Sequence, residues 1–133
     1  MEKMKKHILV VDDSPTIRSS VAFCLRNAGY KITEAEDGQD ALEKLESMRG
    51  SAHNLAMIVT DINMPRMDGI TFIEHVKKSH FRFLPILVFT TESEKSMIEK
   101  GKEAGASGWV VKPFQPEQLL WAVKKLVWTD ERT

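Results

Sequence analysis

The sequence is poor in cysteine, in excess charge and in long apolar runs, and each shortage excludes a class of protein. Its single cysteine, Cys24, cannot form a disulfide within the chain, and its place on the apolar stripe of a predicted helix indicates a buried thiol in a reducing compartment. Lys and Arg number 19 and Asp and Glu number 19, so a net charge of zero argues against a nucleic-acid partner. No stretch approaches the ~18 apolar residues of a membrane span, and the short apolar run 8–11 ends in two aspartates, unlike a signal peptide. We therefore expect a soluble protein that is not secreted and has no membrane partner.

The length of the chain, 133 residues, suits one globular domain. Apolar residues make up 42% of the sequence and charged residues 29%, as in ordinary globular proteins. We expect a single domain over residues 1–133, with a core from about residue 6 to residue 128 and no separate output domain. Because the sequence ends shortly after Trp128, we expect any signal to be read by another protein that docks on this domain.

Short β-branched runs alternate with longer segments of helical periodicity. The five runs that predict strands are 8–11, 30–34, 56–60, 85–89 and 108–111. Three of the five predicted helices begin after the Asp13-Ser14-Pro15 cap, the Asp37-Gly38 turn and the Asp68-Gly69 turn. The fourth and fifth predicted helices cover about 92–104 and 116–128. This alternation predicts an α/β fold, a doubly wound five-stranded parallel sheet with helices on both faces in a three-layer sandwich. The fourth helix has the thinnest apolar stripe and contains Gly101, so we expect it to be the most weakly held.

Polar side chains follow four of the predicted strands. Asp12 and Asp13 follow the first, Asp61 the third, Thr90 the fourth and Lys112 the fifth. In a doubly wound sheet these positions meet beyond the carboxyl ends of the strands. Three neighbouring carboxylates need a cation to offset their repulsion, and carboxylate oxygens suit Mg²⁺. A lysine and a threonine hydroxyl complement phosphoryl oxygens, and a carboxylate can accept a phosphoryl group, so the set predicts an aspartyl-phosphate site.

Each of these residues also has a purely structural interpretation when taken alone. Asp13 and Thr90 are possible helix caps, Asp61 a possible turn residue, and Lys112 a possible solvated charge. The coincidence of all of them at four strand ends favours a functional site over four unrelated structural roles.

Four motifs in the expected order give the sequence a family resemblance. They are VVDDS at 10–14, TDINMP at 60–65 with MDG at 67–69, FTTE at 89–92, and AGASGWVVKPF at 104–114. With these motifs the chain resembles the receiver domains of two-component response regulators, and among them the single-domain chemotaxis regulators. The resemblance covers nearly the whole chain and implies a flavodoxin-like fold, a role in chemotaxis or motility, and a location in the bacterial cytoplasm.

The resemblance also implies a role for each residue of the site. Asp61 is the implied phosphoacceptor, Thr90 and Lys112 contact the phosphoryl oxygens, and Mg²⁺, or Mn²⁺ in its place, is held by Asp12, Asp13, Asp61 and the main-chain carbonyl of Asn63. A sensor histidine kinase is the implied donor, and small phosphoryl donors such as acetyl phosphate can substitute for it. Members of the family are not ordinary enzymes, because they assist only their own phosphorylation and dephosphorylation.

Further residues are implicated in switching and in loss of the phosphoryl group. The resemblance implies that Thr90 is coupled to the aromatic residue of the fifth strand, here Trp109 where the best-known chemotaxis members have tyrosine. It also implies a cis peptide bond between Lys112 and Pro113. Asn63 and Glu92 flank the implied path of the hydrolytic water, and their polarity predicts a short-lived phosphoryl state.

A possible partner surface is indicated by the tryptophans of the last helix. At helical spacing, Trp121 and Trp128 share a face roughly opposite the core stripe, with lysines beside them. We expect this face, the fifth strand and the fourth helix to form a docking surface that includes Met97, Trp109, Trp121, Lys125 and Trp128. The expected partners are a downstream target, such as a motor switch component, and a phosphatase. The alternative is that each indole lies flat over a neighbouring loop.

Other functional classes are less compatible with the sequence. A phosphatase of the haloacid-dehalogenase type needs a second acid two residues after its nucleophile, and the segment after the first strand, DDSPT, lacks one. A flavodoxin-like nucleotide binder needs a phosphate loop free of negative charge at that position. A phosphate sink and a degenerate receiver acting as a scaffold remain as alternatives within the same family.

Overall fold

A computed structural model describes residues 5–50 and 55–127, and within them five strands alternate with five helices. The strands are β1 (His7–Val11), β2 (Lys31–Ala35), β3 (Leu55–Thr60), β4 (Ile86–Thr90) and β5 (Gly108–Val111). The helices are α1 (Pro15–Asn27), α2 (Gly38–Met48), α3 (Gly69–Lys77), α4 (Lys95–Ala104) and α5 (Pro116–Leu126). The predicted α/β alternation is confirmed. No helix in these ranges is long and apolar enough to cross a membrane.

The strands form one parallel sheet in the order β2-β1-β3-β4-β5. The chain moves from β1 to one edge and then returns to the other side of β1, so the direction of winding reverses between β1 and β3. Ligands of doubly wound sheets bind beyond the carboxyl ends of the strands at such a reversal. The residues that follow β1 and β3 are therefore direct neighbours.

The two faces of the sheet are covered by different helices. Ile8 and Val10 belong to an apolar cluster with α1 and α5, whereas Leu9 and Val11 belong to a second cluster with α2 and α3. This alternation follows from the period of two in a strand, which sends successive side chains to opposite faces. The predicted three-layer arrangement is thus confirmed, with a separate core on each side of the sheet.

Helix α4 differs from its predicted extent. It begins at Lys95 rather than at residue 92, and its N-cap residue, Glu94, makes no side-chain capping hydrogen bond. Within α4, Gly101 is the buried residue, and a Cβ added there would lie 2.5 Å from Cζ3 of Trp109. The glycine in this helix therefore makes room for the indole of β5.

The cysteine prediction also needs correction. Cys24 is only partly buried, where it packs against the cluster formed with α1 and α5. Burial raises the pKa of its thiol, and the carboxylate of Glu117 adds to the effect. A raised pKa disfavours the reactive thiolate, which is consistent with a structural role for the side chain.

Candidate functional site

Two buried carboxylates lie at the centre of the carboxyl edge of the sheet. Asp12 directly follows β1 and Asp61 directly follows β3, and they are 3% and 7% exposed. The N–H of Asp61 donates to the carbonyl of Val11 at 2.9 Å, which holds the two strand ends side by side. Asp13 is exposed beside them, and one carboxylate oxygen from each of the three aspartates lies within 4.8 Å of the others. The three together form a negative site that favours a cation.

Lys112 joins the two buried carboxylates. Its Nζ donates to Oδ2 of Asp12 at 2.7 Å and to Oδ2 of Asp61 at 2.9 Å. The lysine follows β5, and its main-chain N–H donates to the carbonyl of Thr90 at 2.7 Å. The peptide bond between Lys112 and Pro113 is cis. One ammonium group thus connects the ends of β1, β3 and β5.

The protonation behaviour of this triad follows from burial and from the contacts of Lys112. Burial raises the pKa of Asp12 above its ordinary value, and the hydrogen bonds from Lys112 and from the Ser14 N–H offset only part of the rise. Burial alone would lower the pKa of Lys112, but its hydrogen bonds to Asp12 and Asp61 raise it overall. The lysine therefore remains charged at neutral pH, and a positive charge stays fixed beside Asp61.

Main-chain donors fix the orientation of both carboxylates. Oδ1 of Asp61 accepts from the N–H of Ile62 at 2.7 Å, and Oδ1 of Asp12 accepts from the N–H of Ser14 at 2.9 Å. The other oxygen of each carboxylate accepts from Lys112. Since each side chain is held at both oxygens, the two acids are preorganised rather than free to rotate.

Arg18 supports the site from α1, and sequence reasoning missed it. Its Nη1 donates to the main-chain carbonyl of Asp12 at 2.7 Å, and its Nε donates to Oε1 of Glu34 at 3.1 Å. The side chain is 18% exposed. The spacing of six residues between Asp12 and Arg18 gives no signal in the sequence, because the contact depends on how the first turn of α1 folds back over β1.

Gly69 is a second residue that sequence reasoning interpreted only as part of a turn. It is the first residue of α3, and its N–H donates to the carbonyl of Ile62 at 2.7 Å. A Cβ at this position would lie 2.1 Å from the carbonyl oxygen of Asp61 and 2.8 Å from Cα of Ile62. Glycine is needed here because the backbone that follows Asp61 passes directly over the start of α3.

Thr90 and Trp109 are linked through the main chain of Glu92. Thr90 ends β4 and is fully buried, and its Oγ1 accepts from the N–H of Glu92 at 3.3 Å. The carbonyl of Glu92 accepts from the indole Nε1 of Trp109 at 2.9 Å. Thr90 and the indole therefore contact the main chain of the same residue, through the two consecutive peptide units on either side of its Cα. The indole N–H supplies this contact although tryptophan has no hydroxyl.

The remaining predicted residues are distributed around this centre. Asn63 is exposed in the loop after β3, two residues beyond Asp61, and Glu92 is partly buried two residues beyond Thr90. Trp121 is 65% exposed, and Nζ of Lys125 lies 4.9 Å from the centre of its ring. Met97 and Trp109 are partly buried, so they contribute less open surface than the sequence suggested. The last member of the predicted docking surface, at position 128, lies outside the described residues.

The acidic cluster fits a hard divalent cation. Carboxylate oxygens are the protein ligands that Mg²⁺ and Mn²⁺ prefer, and Mg²⁺ keeps several waters while binding only a few protein oxygens. Asp12, Asp13 and Asp61 offer three such oxygens within 4.8 Å of one another. The exposed position of Asp13 leaves this side of the cluster open to water.

Comparison with known proteins decides the family. The model of the response regulator receiver domain matches residues 8–124, a range that includes every residue of the acidic cluster, Thr90 and Lys112. The chain belongs to the response regulator receiver family. Receiver domains bind Mg²⁺ through acidic residues and interact with sensor histidine kinases and downstream targets, and they are signalling modules rather than enzymes in the usual sense.

Relatives of this receiver domain include chemotaxis proteins and a longer regulator. The chemotaxis protein CheY1 of Helicobacter pylori is 35% identical over 126 residues, which cover 93% of this chain and 98% of that protein. The transcriptional regulatory protein PdtaR of Mycobacterium tuberculosis is also 35% identical, but the match covers only 57% of its length. A crystal structure of the chemotaxis protein CheY4 of Vibrio cholerae is 40% identical, with a TM-score of 0.84 over 92% of this chain and 99% of that one.

Proposed function

We propose that this receiver domain accepts a phosphoryl group on Asp61 from a phosphohistidine of a sensor kinase. The observation that carries the proposal is the double contact of Lys112, whose Nζ lies 2.9 Å from Oδ2 of Asp61 and 2.7 Å from Oδ2 of Asp12. A fixed cation beside a preorganised carboxylate suits a reaction that brings a highly charged phosphoryl group to that carboxylate.

The transfer reaction needs little covalent chemistry from the protein. A carboxylate oxygen of Asp61 forms a bond to phosphorus while the P–N bond to the kinase histidine breaks and its electron pair goes to the imidazole nitrogen. Lys112 and Thr90 hold phosphoryl oxygens and stabilise their charge. Asp12, Asp13, Asp61 and the carbonyl of Asn63 would hold Mg²⁺, which neutralises charge on the transferring group. The chain mainly supplies position and electrostatic stabilisation.

Loss of the phosphoryl group would depend on the two polar residues near the entrance of the site. Asn63 is exposed and Glu92 is partly buried, and each follows a site residue by two positions. They flank the path by which a water molecule reaches phosphorus in line with the bond to Asp61. Attack by that water forms a new P–O bond and breaks the bond to Asp61, so inorganic phosphate leaves, a proton of the water passes to the phosphate or to solvent, and the free carboxylate is regenerated.

The signal would leave the domain through the docking surface. When Thr90 moves towards the phosphoryl group, the main chain of Glu92 and the Trp109 indole respond with it, because hydrogen bonds of 3.3 and 2.9 Å join the Glu92 N–H to Thr90 and the Glu92 carbonyl to the indole. The surface between α4, β5 and α5 carries Trp121, which is exposed and stacked under Lys125. An aromatic residue beside a cation is a suitable anchor for a protein partner. The match to CheY1 and CheY4 favours a target in chemotaxis, such as a component of the motor switch.

The docking role can be separated from the chemistry by one substitution. Trp121→Ala removes an exposed side chain, so we expect unchanged phosphorylation and stability but weaker binding to the downstream target. The matched control is Phe23→Ala, which removes an aromatic side chain of similar exposure, 68%, from a different helix, α1. Equal affinity of wild type and Trp121→Ala for the target would contradict the docking surface.

The phosphoacceptor role is tested by the intact mass of the protein after incubation with acetyl phosphate. We expect one phosphoryl adduct that forms in the presence of Mg²⁺ and does not form when a chelator is present from the start. Asp61→Asn should form none, whereas Asp68→Asn, which changes an exposed acid that caps α3, should behave as wild type. Absence of an adduct in the wild type, with a phosphohistidine donor also failing, would instead favour a degenerate scaffold.

A further inference from the structure

A bidentate ion pair connects the loop after Asp61 to the start of α2. Arg66 lies in this loop, which runs from β3 to α3, and Asp37 is the N-cap residue of α2. Nε of Arg66 donates to Oδ2 of Asp37 at 2.8 Å, and Nη2 donates to Oδ1 at 3.0 Å. The carboxylate is almost fully buried, whereas the guanidinium is about half exposed. Parallel N–H bonds of this kind fix both distance and orientation.

The backbone of Arg66 indicates that the contact holds the loop in an unusual conformation. Its φ of 65° lies in the left-handed region. Among the non-glycine residues of the described ranges, Arg66 alone has a positive φ. A residue with a Cβ adopts this conformation at a cost, so surrounding contacts must favour it. The two hydrogen bonds to Asp37 are contacts of this kind.

Two more contacts fasten the same loop. Met67 packs over Gly38, where an added Cβ would lie 3.0 Å from its Cγ and Sδ. At the base, the N–H of Gly69 donates to the carbonyl of Ile62 at 2.7 Å. The loop that contains Asn63 is thus held at its base by α3 and at its tip by the Asp37-Gly38 turn.

We propose that the Asp37–Arg66 ion pair is a positioning device that holds the 62–68 loop in place and thereby sets the affinity of the acidic site for Mg²⁺. The inference rests on the proposed function, since it takes the carbonyl of Asn63 as a metal ligand. Neither Arg66 nor Asp37 belongs to the acidic cluster. Their effect reaches the site through the two residues of backbone between Asn63 and Arg66, so both are positioning residues rather than ligands.

The ion pair is tested by two variants that spare the other roles of its members. Arg66→Gly removes the guanidinium but keeps a residue that adopts positive φ readily. Asp37→Asn weakens the charged contact but keeps an oxygen that can accept from the N–H of Asp40, the capping bond seen at 2.9 Å. Arg49→Ala removes an exposed arginine that pairs with Glu46 on α2, and it serves as the control for loss of one positive charge.

The readout is the Mg²⁺ dissociation constant, measured by calorimetry and by the Mg²⁺ dependence of the backbone amide resonances of residues 62–68. Partners that orient metal ligands typically contribute ten- to a hundredfold to affinity. We expect each loop variant to weaken Mg²⁺ binding by about tenfold, with no change for Arg49→Ala. The double variant should bind no more weakly than the singles, because the two residues act as one pair.

The outcomes separate this inference from the function on which it rests. Wild-type affinity in both loop variants would overturn the positioning role while leaving phosphorylation of Asp61 intact. Absence of Mg²⁺ binding by the wild type would overturn both proposals. Weaker Mg²⁺ binding could also come from general destabilisation of the fold, which would increase amide hydrogen exchange throughout the sheet. That result would also contradict the inference.

Discussion

Gly69→Ala provides a strong test of how the fold positions the phosphoacceptor. The added methyl carbon would lie 2.1 Å from the carbonyl oxygen of Asp61, more than an ångström short of ordinary van der Waals contact. The next nearest atom, Cα of Ile62 at 2.8 Å, is also backbone, so a change of rotamer cannot relieve the clash. The loop after Asp61 or the start of α3 must therefore move.

The expected size of the effect follows from this displacement. Overpacking against rigid surroundings costs up to about 3 kcal/mol, and we expect Gly69→Ala to lower the free energy of unfolding by about that amount. A shift of ~1 Å in a reacting group reduces rates by about a hundredfold. The Lys112 contact to Asp61, now 2.9 Å, would lengthen, and the rate of phosphorylation should fall by this factor.

The matched control is Gly38→Ala. Gly38 and Gly69 each begin a helix directly after a capping aspartate. A Cβ at Gly38, however, would meet the side chain of Met67, with Cγ and Sδ at 3.0 Å and Cβ at 3.1 Å, and no backbone atom as close. Because a side chain can shift where the backbone at Gly69 cannot, we expect a loss of only about 1 kcal/mol and a fall in rate much smaller than that of Gly69→Ala. Urea unfolding and the time course of the phosphoryl adduct measure both quantities, and similar behaviour of the two variants would refute the argument.

Three further outcomes are expected. Lys112→Met should lower the free energy of unfolding at pH 7 by about 3 kcal/mol, measured by urea unfolding, because it leaves two buried carboxylates without their cation. The hydrogen bonds from Arg66 lower the pKa of Asp37 below its ordinary 3.8, so the pair stabilises the fold above that pH and the stabilisation is lost on acidification. The stability difference between wild type and Asp37→Asn should therefore shrink as pH falls, and a constant difference would contradict this. Gly101→Ala should displace the Trp109 indole, seen as a shifted Nε1–H resonance, because the new Cβ would lie 2.5 Å from Cζ3 of its ring.

The sequence predicts the sheet and the centre of the site for a clear physical reason. Apolar runs of period two and stripes of period 3.6 are local signals, and they identify all five strands and helices to within a few residues. Parallel strands bring their carboxyl ends to one edge, so the sequence predicts that Asp12, Asp61 and Lys112 lie close together. The structure places the lysine in contact with both acids.

The supporting residues could not be predicted in the same way. Arg18, Arg66 and Gly69 have no distinctive local pattern, since each acts through a contact with backbone or a carboxylate elsewhere in the fold. The predicted start of α4, at about residue 92, is too early, because Thr90 is a possible helix cap in the sequence, whereas in the structure the N-cap is Glu94 and the Glu92 carbonyl accepts from the indole of Trp109. Long-range contacts of this kind override local propensity.

The central claim, that Asp61 is the phosphoacceptor, is tested most directly by chemical trapping. Borohydride reduces an aspartyl phosphate to homoserine, and tandem mass spectrometry of the digested protein then locates the modified residue. After incubation with acetyl phosphate and Mg²⁺, we expect homoserine at position 61 and unmodified aspartate at positions 12 and 13. Homoserine at either of those positions, or at none of the three while the intact protein carries the adduct, would contradict it.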